Sequence, residues 1–264
     1  MERRGAVIDV DGTLVRGDDA IPGAAAAVTA LRDAGLDLAF VTNNPTRSPA
    51  AVAAHLDALG FDVSPEEVVT AGGITRAYLR RKHPDAAVFV VGESGLRDQL
   101  DGVSLTDDPR AADVLLGSIS RAFDYADLTD ALRALSTGDT AFVGTDPDRT
   151  IPGREELLPG SGAILGAIEA TTGREPTVVG KPSAHAAQAT TDRLGLDPAA
   201  CLLVGDRLDT DVRMGAEAGM ETALVLSGVT DRTDAESATP APDHVVSSLS
   251  ALPETLGLSG RSRS

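Results

Sequence analysis

Short apolar runs alternate with alanine-rich amphipathic stretches along most of this chain, and several of the runs stop on a polar cluster. That alternation is the pattern of βα units around a mostly parallel sheet, since each parallel crossover needs a connection of helical length. The first run is the most explicit. Residues 6–14 read Ala-Val-Ile-Asp-Val-Asp-Gly-Thr-Leu, so a buried strand over 5–9 ends on Asp9, with Asp11, Gly12 and Thr13 close behind. In open α/β sheets, ligands bind at the carboxyl tips of the strands. If the extended geometry persists, Asp9 and Asp11 share a face. Two adjacent carboxylates repel strongly, and the pair asks for a hard, oxygen-ligated cation such as Mg²⁺. A carboxylate can also act as a covalent nucleophile and form an aspartyl-phosphate. The plainer reading of Asp11-Gly12 is a hairpin turn. A calcium-binding helical hand fails, because Gly12 follows the second Asp directly.

The rest of the chain repeats the pattern. Helices are predicted over 23–34 and 48–59, a strand over 38–41 ending in Thr42-Asn43-Asn44-Pro45, and a helix over 66–82. From about residue 87 the pattern restarts, with strands at 88–91, 114–116 and 140–144 and helices at 95–100, 125–136 and 162–172. This middle block reads as a second α/β unit inserted into the first. The outer pattern resumes near Pro176. Val178-Val179 leads to Gly180-Lys181-Pro182, a helix covers 184–194, and the strand 201–204 ends in Gly205-Asp206-Arg207-Leu208-Asp209-Thr210-Asp211. A helix over 211–218 and a strand over 222–226 follow.

The composition narrows what such a fold is used for. Among 264 residues the net charge is −17, which disfavours binding through a nucleic-acid backbone. Of 23 Lys and Arg residues only Lys82 and Lys181 are lysine. Acidic excess, scarce lysine and 3% aromatics read as a protein from a salt-loving organism, whose self-repulsion molar salt would screen. A GC-rich genome explains the arginine but less of the acidity. No apolar run of membrane-spanning length occurs, and the first strand starts too early to leave room for a signal peptide, so no membrane partner is expected. The lone Cys201, in an apolar run, excludes an internal disulfide and fits core packing in a reducing cytoplasm.

Four polar clusters each follow an apolar strand: Asp9/Asp11, Thr42/Asn43, Lys181, and Asp206 with Asp211. Parallel strands point one way, so these clusters are expected to converge on one sheet edge. Each is of a type that phosphoryl transfer uses. Thr42 offers a hydroxyl, Asn43 an amide and Lys181 a compact positive charge. Asp206 is suited to complete a metal site with Asp9. Asp211 is read as a holder of Lys181 or a further outer ligand, and for Asp209 and Asp211 helix capping is the competing reading.

Asp9-Val10-Asp11-Gly12-Thr13, Thr42-Asn43-Asn44, Gly180-Lys181-Pro182-Ser183 and the 205–211 segment, in this order, resemble the four motifs of the haloacid dehalogenase-like (HAD) hydrolase superfamily. Ile21-Pro22-Gly23, Thr145-Asp146-Pro147-Asp148, Pro159-Gly160-Ser161-Gly162-Ala163 and Leu226-Ser227-Gly228-Val229 resemble its type IIA branch, the NagD-like and 4-nitrophenylphosphatase-like phosphatases. The resemblance implies an α/β protein with a Rossmann-like, doubly wound parallel sheet core (1–78 and 180–258), an inserted α/β cap domain (79–179) and a disordered tail (259–264). It implies Mg²⁺ on the Asp9 carboxylate, the Asp11 main-chain carbonyl and Asp206. Asp9 would attack phosphorus, and Asp11 would act as general acid and then base. Thr42, Asn43 and Lys181 would hold phosphoryl oxygens, and Arg207, Leu208, Asp209 and Thr210 would line the site.

Dehalogenases of the superfamily lack the second Asp, so Asp11 favours a phosphatase of a small phosphomonoester: a sugar phosphate, phosphoglycolate, glycerol phosphate or nucleoside monophosphate. A non-catalytic binding or regulatory protein of the same fold and a phosphotransferase are the alternatives. Dimerisation through the cap is a further implication of the resemblance.

One departure stands out. The cap segment usually reads Thr-Asn-Pro-Asp in this branch, and here the second residue is Asp146. It reads either as an extra carboxylate facing the site or as surface acidification. Gly160-Ser161-Gly162 lacks the preceding strand and the acidic partner of a dinucleotide fingerprint, so a cap loop is the better reading. Arg121 and Arg149 are candidate contacts for an anionic substrate, against the plainer reading of solvated loop arginines. His55, His83, His185 and His244 show no metal-ligand spacing and read as surface or packing residues.

Overall fold

A computed structural model describes residues 3–152 and 156–258. The predicted disordered tail, 259–264, lies outside the described residues. The chain divides into two compact units. The first comprises residues up to Thr42, Pro49–Val69 and the chain from Ala187 on, and the second comprises Asn43–Ser48 and Thr70–Ala186.

The first unit is built on a six-stranded sheet. Its spatial order is His244–Val246, Glu221–Val225, Cys201–Gly205, Gly5–Asp9, Asp37–Thr42 and Val68–Thr70. Strand Gly5–Asp9 is central and pairs in parallel on both sides, with Ile8 opposite Val204 and opposite Phe40. Every residue of Gly5–Asp9 and Cys201–Gly205 is buried, as expected for parallel strands covered on both faces, which read as continuous apolar runs. Helix Ala24–Asp33 buries Ala24, Ala27, Val28 and Leu31, one stripe at helical spacing. Phe40, Leu56, Phe61 and Leu202 fill the same core.

The second unit carries a five-stranded parallel sheet, in the order Thr177–Val178, Ala141–Gly144, Val114–Gly117, Ala87–Val91 and Ser104–Leu105. Helices Tyr125–Ala134 and Ser161–Thr172 supply Ala131, Leu165 and Ile168 to a core shared with Leu115 and Phe142. The Asp124 side chain caps the first of these helices, accepting from the backbone N–H of Ala126 at 2.6 Å and of Asp127 at 3.1 Å. The α/β class and the Rossmann-like parallel core expected from the sequence are what the structure shows.

Residues 66–82 are not a single helix. A short 3₁₀ turn, Pro65–Glu67, is followed by the edge strand Val68–Thr70 and then by helix Ala71–Lys82. Val68, Val69 and Thr70 are β-branched, stiff at χ1 and suited to a strand. The Thr70 hydroxyl then accepts from Gly73 N at 3.1 Å and opens the helix. That helix belongs with the second unit. Thr70 donates to Gln99 at 3.3 Å, and Tyr78 packs edge-on against His185. Strand His244–Val246, helix Arg232–Ser237 and the hairpin of Thr150–Pro152 with Leu157–Pro159 were not predicted.

Candidate active site

The site in the first unit starts at the carboxyl end of the central strand. Asp9 is the last residue of that strand and is buried, and the Thr13 hydroxyl donates to its Oδ2 at 3.4 Å. The neighbouring strand Cys201–Gly205 ends one residue before Asp206, which is also buried. Register alignment of these two parallel strands brings Asp9 and Asp206 to the same edge.

Asp211 joins them through an irregular segment. Leu208–Val212 forms a single wide helical turn, in which Val212 N reaches back five residues to Arg207 O at 3.1 Å. The turn buries Asp211 completely, and its Oδ2 accepts from Arg207 N at 3.1 Å. One carboxylate oxygen each from Asp9, Asp206 and Asp211 lie within 4.8 Å of one another. Burial disfavours ionised carboxylates, and three in one place favour a cation among them. An all-oxygen donor set of this kind fits a hard divalent ion such as Mg²⁺.

Close approach of the backbone holds this cluster. A Cβ at Gly205 would lie 2.2 Å from Asp211 Cγ, and one at Gly228 only 1.9 Å from Asp206 Oδ2. Val229 N donates to that same Asp206 oxygen at 2.7 Å, and the Thr230 hydroxyl donates to Asp206 O at 2.6 Å. Ser227 ties the same loop to the turn after the first strand, donating to Gly12 O at 2.8 Å.

Asp9 and Asp11 do not continue one extended strand. The strand stops at Asp9, and Asp11 lies in a turn in which Gly12 N donates to Val15 O at 2.7 Å. Asp11 is exposed, and its Oδ2 accepts from the Thr42 hydroxyl at 3.1 Å. The two acids are thereby set apart in environment, one buried in the carboxylate cluster and one accessible on a hydroxyl. Such a pair can divide nucleophilic and proton-transfer work. Arg207, Leu208 and Asp209 line a cavity of about 400 Å³ together with Val229, Thr230 and Asp234. Thr210 is buried, and its hydroxyl has no hydrogen-bond partner among the described residues. Asp209 is exposed, unlike Asp211.

In the second unit, Asn43 brackets the backbone of Lys181. Its Oδ1 accepts from Lys181 N at 2.9 Å, and its Nδ2 donates to Lys181 O at 3.2 Å and to Asp148 Oδ1 at 3.3 Å. Lys181 is 3% exposed, which excludes a solvated surface residue. Asp146 is not surface acidification. It is 2% exposed and accepts from the hydroxyls of Ser161 at 2.6 Å and Thr145 at 2.8 Å. Gly160 and Gly162 serve backbone packing, since a Cβ at either would lie 2.2 Å from the carbonyl oxygen of Asp148 or Pro147. Arg121 forms an ion pair with Glu93 at 2.7 Å, and Arg149 is an exposed loop residue. His185 packs on Tyr78 and His244 meets Glu221, in keeping with packing and surface roles. Cys201 is buried, and burial pushes its thiol up from the ordinary range.

A family model described as haloacid dehalogenase-like hydrolase matches residues 6–106, and a second, HAD-hydrolase-like model matches 178–252. The chain is 34% identical over 246 residues to the 5'-nucleotidase YutF of Bacillus subtilis, covering 93% of this chain and 96% of that protein. This chain belongs to the haloacid dehalogenase-like hydrolases. An acid sugar phosphatase of Staphylococcus epidermidis is 35% identical, with 88% of this chain and 89% of that protein covered. Among solved structures, the p-nitrophenyl phosphatase of Archaeoglobus fulgidus superposes with a TM-score of 0.89 at 36% identity, covering 97% of this chain and 100% of that one. NagD of E. coli gives 0.86 at 31% identity, covering 95% and 98%. The HAD hydrolase described here is an enzyme of the phosphatase type, in the branch that holds NagD and the 4-nitrophenylphosphatases. No helix among its described residues is long and apolar enough to cross a membrane.

Proposed function

We propose that this HAD hydrolase is a Mg²⁺-dependent phosphatase that hydrolyses a small phosphomonoester through an aspartyl-phosphate on Asp9. The observation that carries the reading is the buried Asp9/Asp206/Asp211 cluster at the carboxyl edge of a parallel sheet, with Asp11 close by on Thr42. Asp9, Asp206 and the Asp11 main-chain carbonyl would hold the cation, with Asp211 beside them. When bound, Mg²⁺ supplies positive charge that lets a carboxylate and phosphoryl oxygens approach one another.

Asp9 forms a bond to phosphorus as the bond to the leaving oxygen breaks, and Asp11 gives its proton to that oxygen. Asp11, now a carboxylate, takes a proton from water as the water attacks the phospho-aspartate, which releases phosphate and restores Asp9. Thr42, Asn43 and Lys181 hold phosphoryl oxygens, Arg207 to Thr210 line the site, and the second unit serves as a cap. Relatives named 5'-nucleotidase, acid sugar phosphatase and dihydroxyacetone phosphatase support a small phosphorylated metabolite as substrate. The acidic, lysine-poor composition supports a salt-adapted enzyme, and the lone Cys201 supports a reducing cytoplasm as its setting.

The test is phosphate release from p-nitrophenyl phosphate and a metabolite panel in high KCl, with Mg²⁺ or EDTA. Wild type and Asp9→Asn are compared, both checked for folding by circular dichroism. Turnover should require Mg²⁺ and fall by about 10⁴-fold or more in the variant. Folded wild-type protein without turnover on any phosphomonoester would sink the proposal in favour of a binding protein. Transfer to an added alcohol in place of water would identify a phosphotransferase.

A further inference from the structure

A chain of hydrogen bonds inside the second unit ends on Lys181. It starts at the hydroxyls of Ser161 and Thr145, both donating to Asp146 Oδ2. Asp146 Oδ1 accepts from Asp148 N at 3.3 Å, Asp148 Oδ1 accepts from Asn43 Nδ2 at 3.3 Å, and Asn43 binds both backbone polar groups of Lys181. A second path is by contact. Gly180 N donates to Thr145 O at 2.8 Å, and a Cβ on Gly180 would lie 3.2 Å from Asp146 Cβ. The residue that presents the ammonium is therefore set, along both paths, by a buried acid of the same unit.

We propose that Asp146 is a positioning residue for Lys181, holding the Asn43–Lys181 pair in place when its carboxyl is protonated and loosening it when the carboxyl ionises. The proposal rests on the reading that Lys181 holds a phosphoryl oxygen. Among the described residues, the charged group acting on Asp146 is Asp148, on its own loop. From helix Ser161–Thr172 it meets the Ser161 hydroxyl, and from the end of strand Ala141–Gly144 the Thr145 hydroxyl, backed by Ser118 at 2.9 Å. The Gly180–Lys181 segment packed against it carries Lys181, itself buried.

Burial first, and then the Asp148 carboxylate, push the Asp146 carboxyl up to about 7, against the opposing pull of the two hydroxyls. Ionised, Asp146 repels Asp148 across two residues in a water-poor setting. Asp148 is the group that the Asn43 amide holds, so the repulsion bears directly on the Asn43–Lys181 pair. Neutral Asp146 accepts from Asp148 N without that repulsion. The hold on the phosphoryl group is thus tighter at acidic than at alkaline pH.

The experiment is steady-state hydrolysis of p-nitrophenyl phosphate at saturating Mg²⁺ from about pH 6 to about pH 8.5, for wild type, Asp146→Asn and Ser161→Ala. Melting temperatures are taken at each pH. Wild-type kcat/KM should fall about tenfold across the range, mainly through KM, while Asp146→Asn changes by less than about twofold. Ser161→Ala removes a hydroxyl that favours the ionised form, so its alkaline limb should move to higher pH. Because the folded carboxyl titrates above its unfolded value, wild type should also lose melting temperature relative to Asp146→Asn as pH rises from about 4 towards 7.

Parallel profiles in wild type and Asp146→Asn, or a wild-type fall carried by kcat at constant KM, would overturn the proposal. Should Asp146→Asn fail to fold, the direction of the Ser161→Ala shift decides, and an unmoved limb refutes. A wild type without Mg²⁺-dependent turnover would instead remove the phosphatase reading. In that case the melting comparison alone decides whether Asp146 titrates, and equal pH slopes refute it.

Discussion

The two units bury carboxylates in opposite ways. In the first, Asp9, Asp206 and Asp211 come from two chain segments to place oxygens within 4.8 Å of one another, clamped by backbone at Gly205 and Gly228. In the second, Asp146 sits with hydroxyl donors and its neighbour Asp148, and its carboxyl is pushed up to about 7 by burial and that neighbour. Both arrangements answer the same cost, the loss of water around a charge. The first answers it with a geometry that could hold a divalent cation, and the second with hydroxyl donors and a raised affinity for a proton. The difference teaches that a buried Asp in this fold is read by its partners: several acids converging on one point make a candidate metal site, whereas an acid among hydroxyls makes a candidate titrating group.

The largest effects should separate the two directly. In wild type, Mg²⁺ at a hundredfold its dissociation constant would stabilise the folded protein by about 2.7 kcal/mol, seen as a raised melting temperature. Asp206→Asn should erase most of that shift and cut turnover by about 10³-fold. Asp146→Asn should keep the Mg²⁺ shift intact. A variant at Asp206 that melts with the full Mg²⁺ shift, or one at Asp146 that loses it, would break the comparison.

Glycine substitutions sharpen it at smaller magnitude. Gly228→Ala would put a Cβ 1.9 Å from Asp206 Oδ2, and Gly162→Ala one 2.2 Å from Pro147 O. Each should destabilise by about 1–3 kcal/mol through overpacking. Gly228→Ala should also blunt the Mg²⁺ shift, because the group displaced is a proposed metal ligand. Gly162→Ala should destabilise without touching that shift. Thermal melts of both variants with and without Mg²⁺ check the pair, and equal Mg²⁺ responses would refute the distinction.

These regions were legible in the sequence to different depths. Asp9, Thr42 and Asp206 could be placed together because parallel strands bring their carboxyl ends to one edge, so a motif after each apolar run carries its own address. Asp211 was grouped with Asp206, but its role stayed open between an outer ligand, a holder of Lys181 and a helix cap, since its inward turn depends on the wide helical turn at Leu208–Val212, which has no apolar period to read. Val68–Thr70 was merged into a helix because three residues are too few to show a period of two. His244–Val246 was missed for the same reason. Asp146 was recognised as a departure, but its partner Ser161 lies on another element, and only packing reveals that it is buried.

A third acid marks the solvent-facing limit of the comparison. Glu221, at the amino end of its strand, is held by the guanidinium of Arg3 and by His244 Nε2 at 2.7 Å. The Arg3 hydrogen bond, against some desolvation and with help from His244, draws its carboxyl down to about 2. Here the charge is kept by a guanidinium of the chain itself, neither by a metal nor by a proton. The side chains of Glu221 and Arg3 retain 28% and 32% of their exposure, so solvent screens the pair and its worth is that of a surface ion pair. Glu221→Gln should lower stability by no more than about 1 kcal/mol at neutral pH. The folded carboxyl titrates below its unfolded value, so this contribution is complete above about pH 4.5 and fades as pH falls towards 2. Urea titrations of wild type and Glu221→Gln at neutral pH and near pH 3 should show the gap narrowing in acid. A gap that widened on acidification would mean that the Arg3–Glu221–His244 group is held by packing, and that charge does not enter its stability.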